Sequence, residues 1–321
     1  MRSFFFIFPL FLIAFQTNAQ TCCSGGVPLS NNIGLPFLNK GAYQFGLFYD
    51  YNNLNTLNEG TKVLNDDSRL RITNSILFNF SYNFSERLLV ESLFTWVNQQ
   101  REITLGNNVN FDETFGIGDA ILLLRYMLIK KEYSSLIVGV GGKIPLGSTE
   151  EVNSLGILLN ADLQPGSNAF DYIFTSTYSK IFDFRKSLQF YSRVTYRNTG
   201  VNNSYLGSSD YKFGNEFQLF FGATDSFIIW KQIVNPSLEF KYRNAQMDQL
   251  NTNDVANTGG EWIFMNPSFS IALSPKISFS SRFELPIYSN VKGVQLTPTY
   301  RINTGITIQF GNNETDNSLI N

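Results

Sequence analysis

Apolar and polar side chains alternate with a period of two along most of this chain. Between residues 69 and 84, one face is apolar: Leu70, Ile72, Ile76, Phe78, Phe80, Tyr82 and Phe84. The opposite face is polar: Arg69, Arg71, Thr73, Ser75, Asn79, Ser81 and Asn83. Successive side chains of a β-strand point to opposite faces, so the pattern predicts a strand with one apolar and one wet side. This strand is about twice as long as those of globular proteins.

The same pattern recurs as far as Phe310 and predicts about twelve long strands. We place them at 42–52, 69–84, 87–102, 114–129, 134–147, 166–182, 187–198, 210–223, 233–246, 259–273, 277–289 and 297–310. Long polar segments, such as 53–68 and 148–166, alternate with short turns. This arrangement is typical of outer-membrane barrels, whose closure leaves no unpaired edge in lipid. We therefore predict an all-β fold, a transmembrane antiparallel β-barrel in the bacterial outer membrane.

The last predicted strand ends on an aromatic residue, Phe310. It looks like the terminal strand by which the assembly machinery recognises outer-membrane proteins, so we expect that machinery and membrane lipid as partners. An even strand number places both termini in the periplasm of a Gram-negative cell. The segment Thr224–Gln232 breaks the period. Two interpretations are open for it, an interfacial turn anchored by Trp230 or a slip in the assigned register.

The N-terminal segment has the features of a signal peptide. Arg2 precedes an apolar run from Phe4 to Phe15, and small residues lead to Ala19. We divide the chain into a signal peptide (1–19), an irregular periplasmic leader or plug (20–41), the barrel (42–310) and a polar C-terminal tail (311–321). No apolar stretch after Ala19 approaches the ~20 residues of a spanning helix.

Composition disfavours two classes of protein and one class of site. Charged residues are 16% of the chain, below the ~25% of soluble domains. Without Arg2 the chain has 23 basic and 26 acidic residues, and this acidic balance is unlike that of a nucleic-acid binder. The only cysteines, Cys22 and Cys23, are adjacent; a vicinal disulfide or capped thiol pair is favoured over a soft-metal site, because no histidine or third cysteine completes the ligands. We expect no metal and no cofactor.

The absence of histidine bears on catalysis. Outer-membrane phospholipases, acyltransferases, deacylases and omptin-type proteases all depend on histidine, and this sequence has none. We therefore expect that the protein is not an enzyme and has no catalytic residues.

The residues on the polar face of each predicted strand are those expected to point into the lumen. They include twelve basic residues and seven acidic ones, an excess of about five positive charges inside a chain that is acidic overall. Two interpretations are open: a pore that favours anions, or charges that pair with one another inside a narrow, filled barrel. The residues that we predict to line the lumen and set selectivity are Asp119, Arg125, Lys143, Arg193, Arg197, Arg282 and Arg301.

Three short stretches carry a family resemblance. They are Gly116-Ile-Gly-Asp119 with Leu122-Leu-Leu-Arg125-Tyr126, Gly139-Val-Gly-Gly-Lys143-Ile-Pro145-Leu-Gly147, and Leu163-Gln-Pro-Gly-Ser167 with Phe170-Asp171. They resemble the outer-membrane family associated with the meta-cleavage pathway of phenol degradation. The resemblance implies a transporter-like, porin-like barrel that admits small aromatic or acidic hydrophobic molecules.

Strand phase also predicts a local cluster of charges. Asp119 and Arg125 share the lumen side of one strand, and Lys143 faces inward from the next, so we expect the three to meet as a salt-bridge network or as a solute-selecting constriction. The function we expect is a passive outer-membrane channel or transporter for small solutes, anionic or aromatic. The alternative is a closed structural or surface-binding barrel without transport.

Overall fold

The structure is a computed structural model that describes residues 34–311. The predicted signal peptide, Cys22 and Cys23, the first part of the leader and most of the polar tail lie outside the described residues.

The described chain is built almost entirely of antiparallel strands. In chain order they are β1 Tyr43–Gly60, β2 Lys62–Leu64, β3 Arg69–Ser85, β4 Leu88–Leu105, β5 Asn108–Ile117, β6 Ala120–Lys131, β7 Ser134–Ile144, β8 Asp171–Phe182, β9 Arg185–Asn198, β10 Asn202–Tyr205, β11 Ser209–Lys212, β12 Glu216–Thr224, β13 Phe227–Ile229, β14 Gln232–Ala245, β15 Gln249–Leu250, β16 Asn253–Asp254, β17 Gly260–Ser274 and β18 Ile277–Phe310. A single 3-10 turn, Ala161–Leu163, lies between β7 and β8 in this part of the chain. No helical segment within residues 34–311 is long and apolar enough to cross a bilayer.

Eleven of these strands close into a barrel. The hydrogen-bonded order is β12-β9-β8-β7-β6-β4-β3-β1-β18-β17-β14, and β14 pairs with β12 to complete the ring. The first and last strands meet in register, with Tyr43 opposite Phe310. Closure gives every wall strand two neighbours, which satisfies the backbone groups that lipid cannot.

The last strand, β18, passes through the wall twice. Its residues from 277 to 291 pair with β17, and those from 291 to 310 pair with β1. The backbone N–H of Gln309 donates to the carbonyl of Lys276 at 2.8 Å, so the two arms lie side by side. The chain reverses near Gly293, whose positive φ of 78° suits glycine. The two arms correspond to the strands predicted at 277–289 and 297–310.

Several predicted boundaries are wrong. The loop predicted at 53–68 is mostly strand, because β1 continues to Gly60 and β2 pairs back onto it. The strand predicted at 114–129 is divided into β5 and β6, and the one at 210–223 into β11 and β12. In β1, polar strand continues beyond the stretch where apolar and polar residues alternate, and so gives no period-two signal. The other two predicted strands are interrupted at 118–119 and at 213–215. The ambiguous segment Thr224–Gln232 contains β13 and a hairpin tip where Trp230 is 94% exposed.

The outer surface of the barrel is apolar and the interior is polar. Along β1, the outward residues Tyr43, Phe45, Leu47 and Tyr49 are 39–45% exposed, while inward Gln44 and Asp50 are buried. Aromatic rings contact each other across strands near the chain ends, including Tyr43 stacked on Phe310 at 4.9 Å between ring centroids. These rings are placed where interfacial aromatic belts of membrane proteins lie.

The two ends of the barrel differ in their connections. At the short-turn end, tight turns join β3 to β4, β6 to β7, β8 to β9 and β17 to β18, and β1 begins and β18 ends there. At the opposite, long-loop end, β10, β11, β15 and β16 form a second sheet. Tyr211 and Phe213 of this region pack with Ala161 in a small apolar cluster, so the loops cover that end.

Candidate functional site

The three stretches that carry the family resemblance converge inside the barrel at the long-loop end. Asp119 accepts hydrogen bonds at Oδ2 from Lys143 Nζ (2.7 Å), the Ser167 hydroxyl (2.6 Å) and the Ser167 N–H (3.1 Å). Lys143 also donates to Ser167 Oγ and lies 3.3 Å from Asp171. We call these four residues, Asp119, Lys143, Ser167 and Asp171, the Asp119 latch. All four are buried, so each charge depends on the others.

Two glycines bring the backbone of the loop between β7 and β8 against itself beside the latch. A Cβ on Gly166 would lie 2.6 Å from Gly147 Cα, closer than real side chains approach. The Gly147 N–H also donates to Asp119 Oδ1 at 3.2 Å. Only hydrogen fits at these positions, so glycine is required by close approach.

The loop between β7 and β8 folds into the barrel instead of away from it. The segment 161–167 is buried throughout. Asp162 pairs with Arg71 Nη1 at 2.7 Å, and the carbonyls of Leu163 and Gln164 accept hydrogen bonds from the side chains of Thr114 (2.6 Å) and Gln99 (3.1 Å). We call residues 159–169 the inward loop. Sequence analysis did not identify Asp162, since no period marks an inward turn in a loop.

Arg125 belongs to a different group, so the predicted cluster of Asp119, Arg125 and Lys143 is wrong. Arg125 pairs with Glu91 (3.0 Å) and donates to the carbonyl of Leu35 (2.7 Å). Six residues separate it from Asp119 along the chain, which is about 20 Å in an extended strand. The alternation of side chains correctly predicted that both residues face the lumen, but it gives no information about their separation along the strand.

Residues 34–40 lie within the lumen and are held there by the same pair of charges. Glu91 Oε1 accepts from the N–H groups of Gly34 (2.9 Å) and Leu35 (3.2 Å). The Arg125 guanidinium lies 5.5 Å from the ring centroid of Phe37. Gln44 donates to the Pro36 carbonyl at 2.7 Å. We call residues 34–40 the N-terminal strap; the larger leader or plug at 20–41 stays a prediction.

An apolar cluster occupies the interior between the latch and the strap. Its members are Leu77, Leu93, Ile121, Leu123 and Ile173, with Phe48 packed against them. They occupy the lumen phase of their strands, where polar residues were expected. The run Ile121-Leu-Leu-Leu124, apolar on both faces, is the sequence signal that would have revealed it.

The remaining predicted lumen residues also face inward. Arg197 lies between Asp171 (3.7 Å) and Glu216 (3.6 Å), and Arg301 pairs with Asp50 at 2.9 Å. Arg193 and Arg282 line a cavity of about 300 Å³ in the half of the barrel near the short-turn end. The structure thus puts all seven candidates in the interior, and their role in selectivity stays a prediction.

A carboxylate in the long-loop region has an altered pKa. Burial is the main cause that raises the pKa of Asp248 to about 6, against hydrogen bonds from the Tyr211 hydroxyl (2.7 Å) and the Gly214 N–H (2.8 Å) that lower it. Asp162 of the inward loop raises it further. The ionisation of Asp248 in the outer loops is thus electrostatically coupled to Asp162 in the inward loop.

The described residues contain no group of three or more acidic or cysteine side chains arranged to hold a metal ion. Basic side chains of the interior lie next to one or two carboxylates, an arrangement that suits a structural network or contact with a charged solute.

The comparisons bear on the fold. No protein-family model matches the chain, and no curated protein matches its sequence. A solved outer membrane channel of Pseudomonas putida F1 is similar over 88% of this chain and 100% of that chain, with a TM-score of 0.64 at 12% identity. The β-domain of the Bordetella autotransporter BrkA is similar over 84% of this chain and 100% of that one (TM-score 0.48, 9% identity). For the NanC porin the shares are 82% and 98% (TM-score 0.44, 10% identity).

The likeness to the Pseudomonas putida channel establishes a shared fold at low identity. That fold is the one used by solved outer-membrane proteins, in agreement with the location expected from the sequence. The resemblance to the phenol-degradation family is not addressed by these matches and stays a prediction.

Proposed function

We propose that this protein is a channel of the bacterial outer membrane for small solutes and that the structure is its closed state. The observation that carries the proposal is how the lumen is filled. The inward loop and the N-terminal strap are not strands of the wall, and they are held to it largely through side chains such as Asp119, Arg71 and Glu91. They can therefore leave the lumen while the backbone ladder of the barrel stays intact.

The charges of the interior favour anions in this proposal. Arg193 and Arg282 line a cavity that has no carboxylate among its described lining residues. Cationic rings at close quarters select anions. An aromatic solute has less support, because the apolar cluster around Leu123 is already packed.

Ion conductance tests the channel and its closure together. Gly166→Ala places a methyl group against the backbone of Gly147, so we expect it to expel the inward loop. Overpacking of this kind costs about 1–3 kcal/mol, which shifts the ratio of closed to open barrels by roughly 5- to 150-fold. Gly116→Ala is the control, because a Cβ there makes only ordinary contact with Pro165 (3.6 Å) and the backbone of Gly116 does not have a positive φ.

In planar bilayers, we expect low conductance for the wild type and for Gly116→Ala, and a high open fraction for Gly166→Ala. A folded Gly166→Ala barrel that conducts no more than the wild type contradicts the proposal.

A closed surface-binding barrel is the second candidate. The observation that favours it is the separate sheet of β10, β11, β15 and β16, which has its own apolar cluster at the long-loop end. Absence of conductance in every loop variant, together with intact folding, would favour this candidate. Under both candidates we propose no catalysis, since the chain has no histidine.

A further inference from the structure

The cavity of about 300 Å³ has a wall unlike the rest of the interior. It lies between the N-terminal strap and the lumen face of β14, β17 and β18. It has room for about ten water molecules at ~30 Å³ each, or for one small organic solute. We call it the vestibule.

Two guanidinium groups set the charge of the vestibule. Arg193 and Arg282 both line it and lie within electrostatic reach of each other. Glu239 lies 4.0 Å from Arg193 and also accepts hydrogen bonds from Tyr191 (3.0 Å) and Asn266 (3.0 Å). The described lining of the vestibule contains these two arginines and no carboxylate, so the groups that face the cavity favour an anion.

One guanidinium of the vestibule contacts an aromatic ring. Arg193 Cζ lies 4.0 Å from the ring centroid of Phe220, a stacking distance. The edge of a guanidinium can donate two parallel hydrogen bonds to a carboxylate. Arg193 thus combines a contact with an aromatic ring and the donor geometry that suits an oxyanion.

The rest of the wall is made of hydroxyl and amide groups. Its main polar members are Ser237, Ser268, Ser270, Ser280, Asn235 and Asn303. Ser237 and Ser268 hydrogen-bond to each other, as do Asn235 and Ser270 (3.1 Å), so the groups are held in place from neighbouring strands. Such a wall satisfies a solute rich in hydroxyl groups, and it gains little from an apolar one.

We propose that the vestibule is a binding site for small polyhydroxylated carboxylates. Arg193 and Arg282 hold the carboxylate, and the serine and asparagine wall accepts and donates to the hydroxyl groups. This inference specifies the class of solute that the proposed channel would carry. Binding in the vestibule does not require transport; only the role of the site in transport rests on the proposed function.

Calorimetric titration of the full chain in detergent, with three six-carbon probes, tests both parts of the site. D-Gluconate carries the carboxylate and the hydroxyls, glucitol carries only hydroxyls, and hexanoate carries only the carboxylate. We expect gluconate to bind at least about tenfold more tightly than either of the others, since each lost set of hydrogen bonds to charged or fixed partners is worth about that factor.

Variants locate the binding in the vestibule. Arg282→Gln should weaken gluconate binding by about tenfold or more, and Ser268→Ala should weaken it less. Arg243→Gln is the matched control, because it removes the same charge from the interior near Trp262 and outside the vestibule. A change in migration between unboiled and boiled samples of each variant on SDS gels checks that the barrel is folded.

Equal binding of gluconate and hexanoate, or equal loss in Arg243→Gln and Arg282→Gln, overturns the site. Conductance separates this result from the channel proposal. A barrel that conducts without binding gluconate overturns the vestibule alone, whereas a barrel that binds gluconate and never conducts supports the site and overturns the channel.

Discussion

The two sides of the barrel interior are built from the same kind of strand and contain different chemistry. The packed wall, formed by β3, β4, β6, β7 and β8, carries the apolar cluster, the Asp119 latch and the salt bridge that holds the N-terminal strap. The open wall, formed by β12, β14, β17 and β18, carries serine, asparagine and threonine around a cavity. Both walls present apolar residues to the outside.

This difference indicates that one wall mainly stabilises the closed barrel and that the other leaves space for a solute. On the packed wall, buried leucines and paired charges make a core that holds both inserted segments. On the open wall, hydroxyl groups in the half near the short-turn end face a space large enough for a solute, and the buried cluster of Trp262, Phe264 and Val291 lies outside that space. We infer that the closed state depends on the packed wall and that a solute would follow the open one.

The largest expected effect comes from breaking the latch. Asp119→Ala leaves Lys143 buried with Asp171 as its remaining carboxylate neighbour. Removing one partner of a buried pair costs about 3–5 kcal/mol, so we expect a lower free energy of unfolding in urea and greater protease access to the inward loop. Glu86→Gln removes an exposed pair with Lys130 and is the control, expected to change nothing measurable. Equal unfolding midpoints for Asp119→Ala and the wild type would contradict the latch.

The next largest effect is the loss of unfolding free energy on truncation of a buried side chain. It can be compared between the two faces of β6 and then between the two walls. Leu123→Ala empties a position in the apolar cluster, and we expect it to lower the free energy of unfolding by about 2–5 kcal/mol. Leu124→Ala, on the lipid face, leaves no internal cavity and should cost less. Ser268→Ala on the open wall should cost about 1 kcal/mol, the net value of one hydrogen bond. Urea titrations of the three variants give the ranking, and a Ser268→Ala loss as large as that of Leu123→Ala would remove the distinction between the walls.

The sequence predicted this division in part. The period of two assigns each side chain to lipid or lumen, and Asp119, Arg125, Lys143 and Arg197 all lie on the predicted inner face, where they are buried. The period carries no information about which inner residues meet across the lumen. Arg125 therefore pairs with Glu91, and the latch is completed by Ser167 of a loop.

Loops account for most of what sequence analysis missed. Ser167 was placed in the strand predicted at 166–182, whereas β8 begins at Asp171. Asp162 comes from the polar segment 148–166, which was expected to lie outside the barrel. Nothing in its composition distinguishes an inward loop from an outward one, since both are rich in polar residues and glycine. The motif Leu163-Gln-Pro-Gly-Ser167 was noticed only as a resemblance, and its close backbone approach appears once Gly147 is placed beside it.

The smallest expected effect is a pH dependence of the cover at the long-loop end. Because burial raises the pKa of Asp248 to about 6 from a usual value of 3.8, the folded loops bind a proton that the unfolded chain has lost between these values. The cover is therefore most stable below about pH 4, and that contribution is lost as the pH rises through about 6. Amide hydrogen exchange of residues 246–258 should be slower at pH 4.5 than at pH 7, after correction for the intrinsic rate. Asp248→Asn should abolish the difference, and its persistence in that variant would assign the pH dependence to another group.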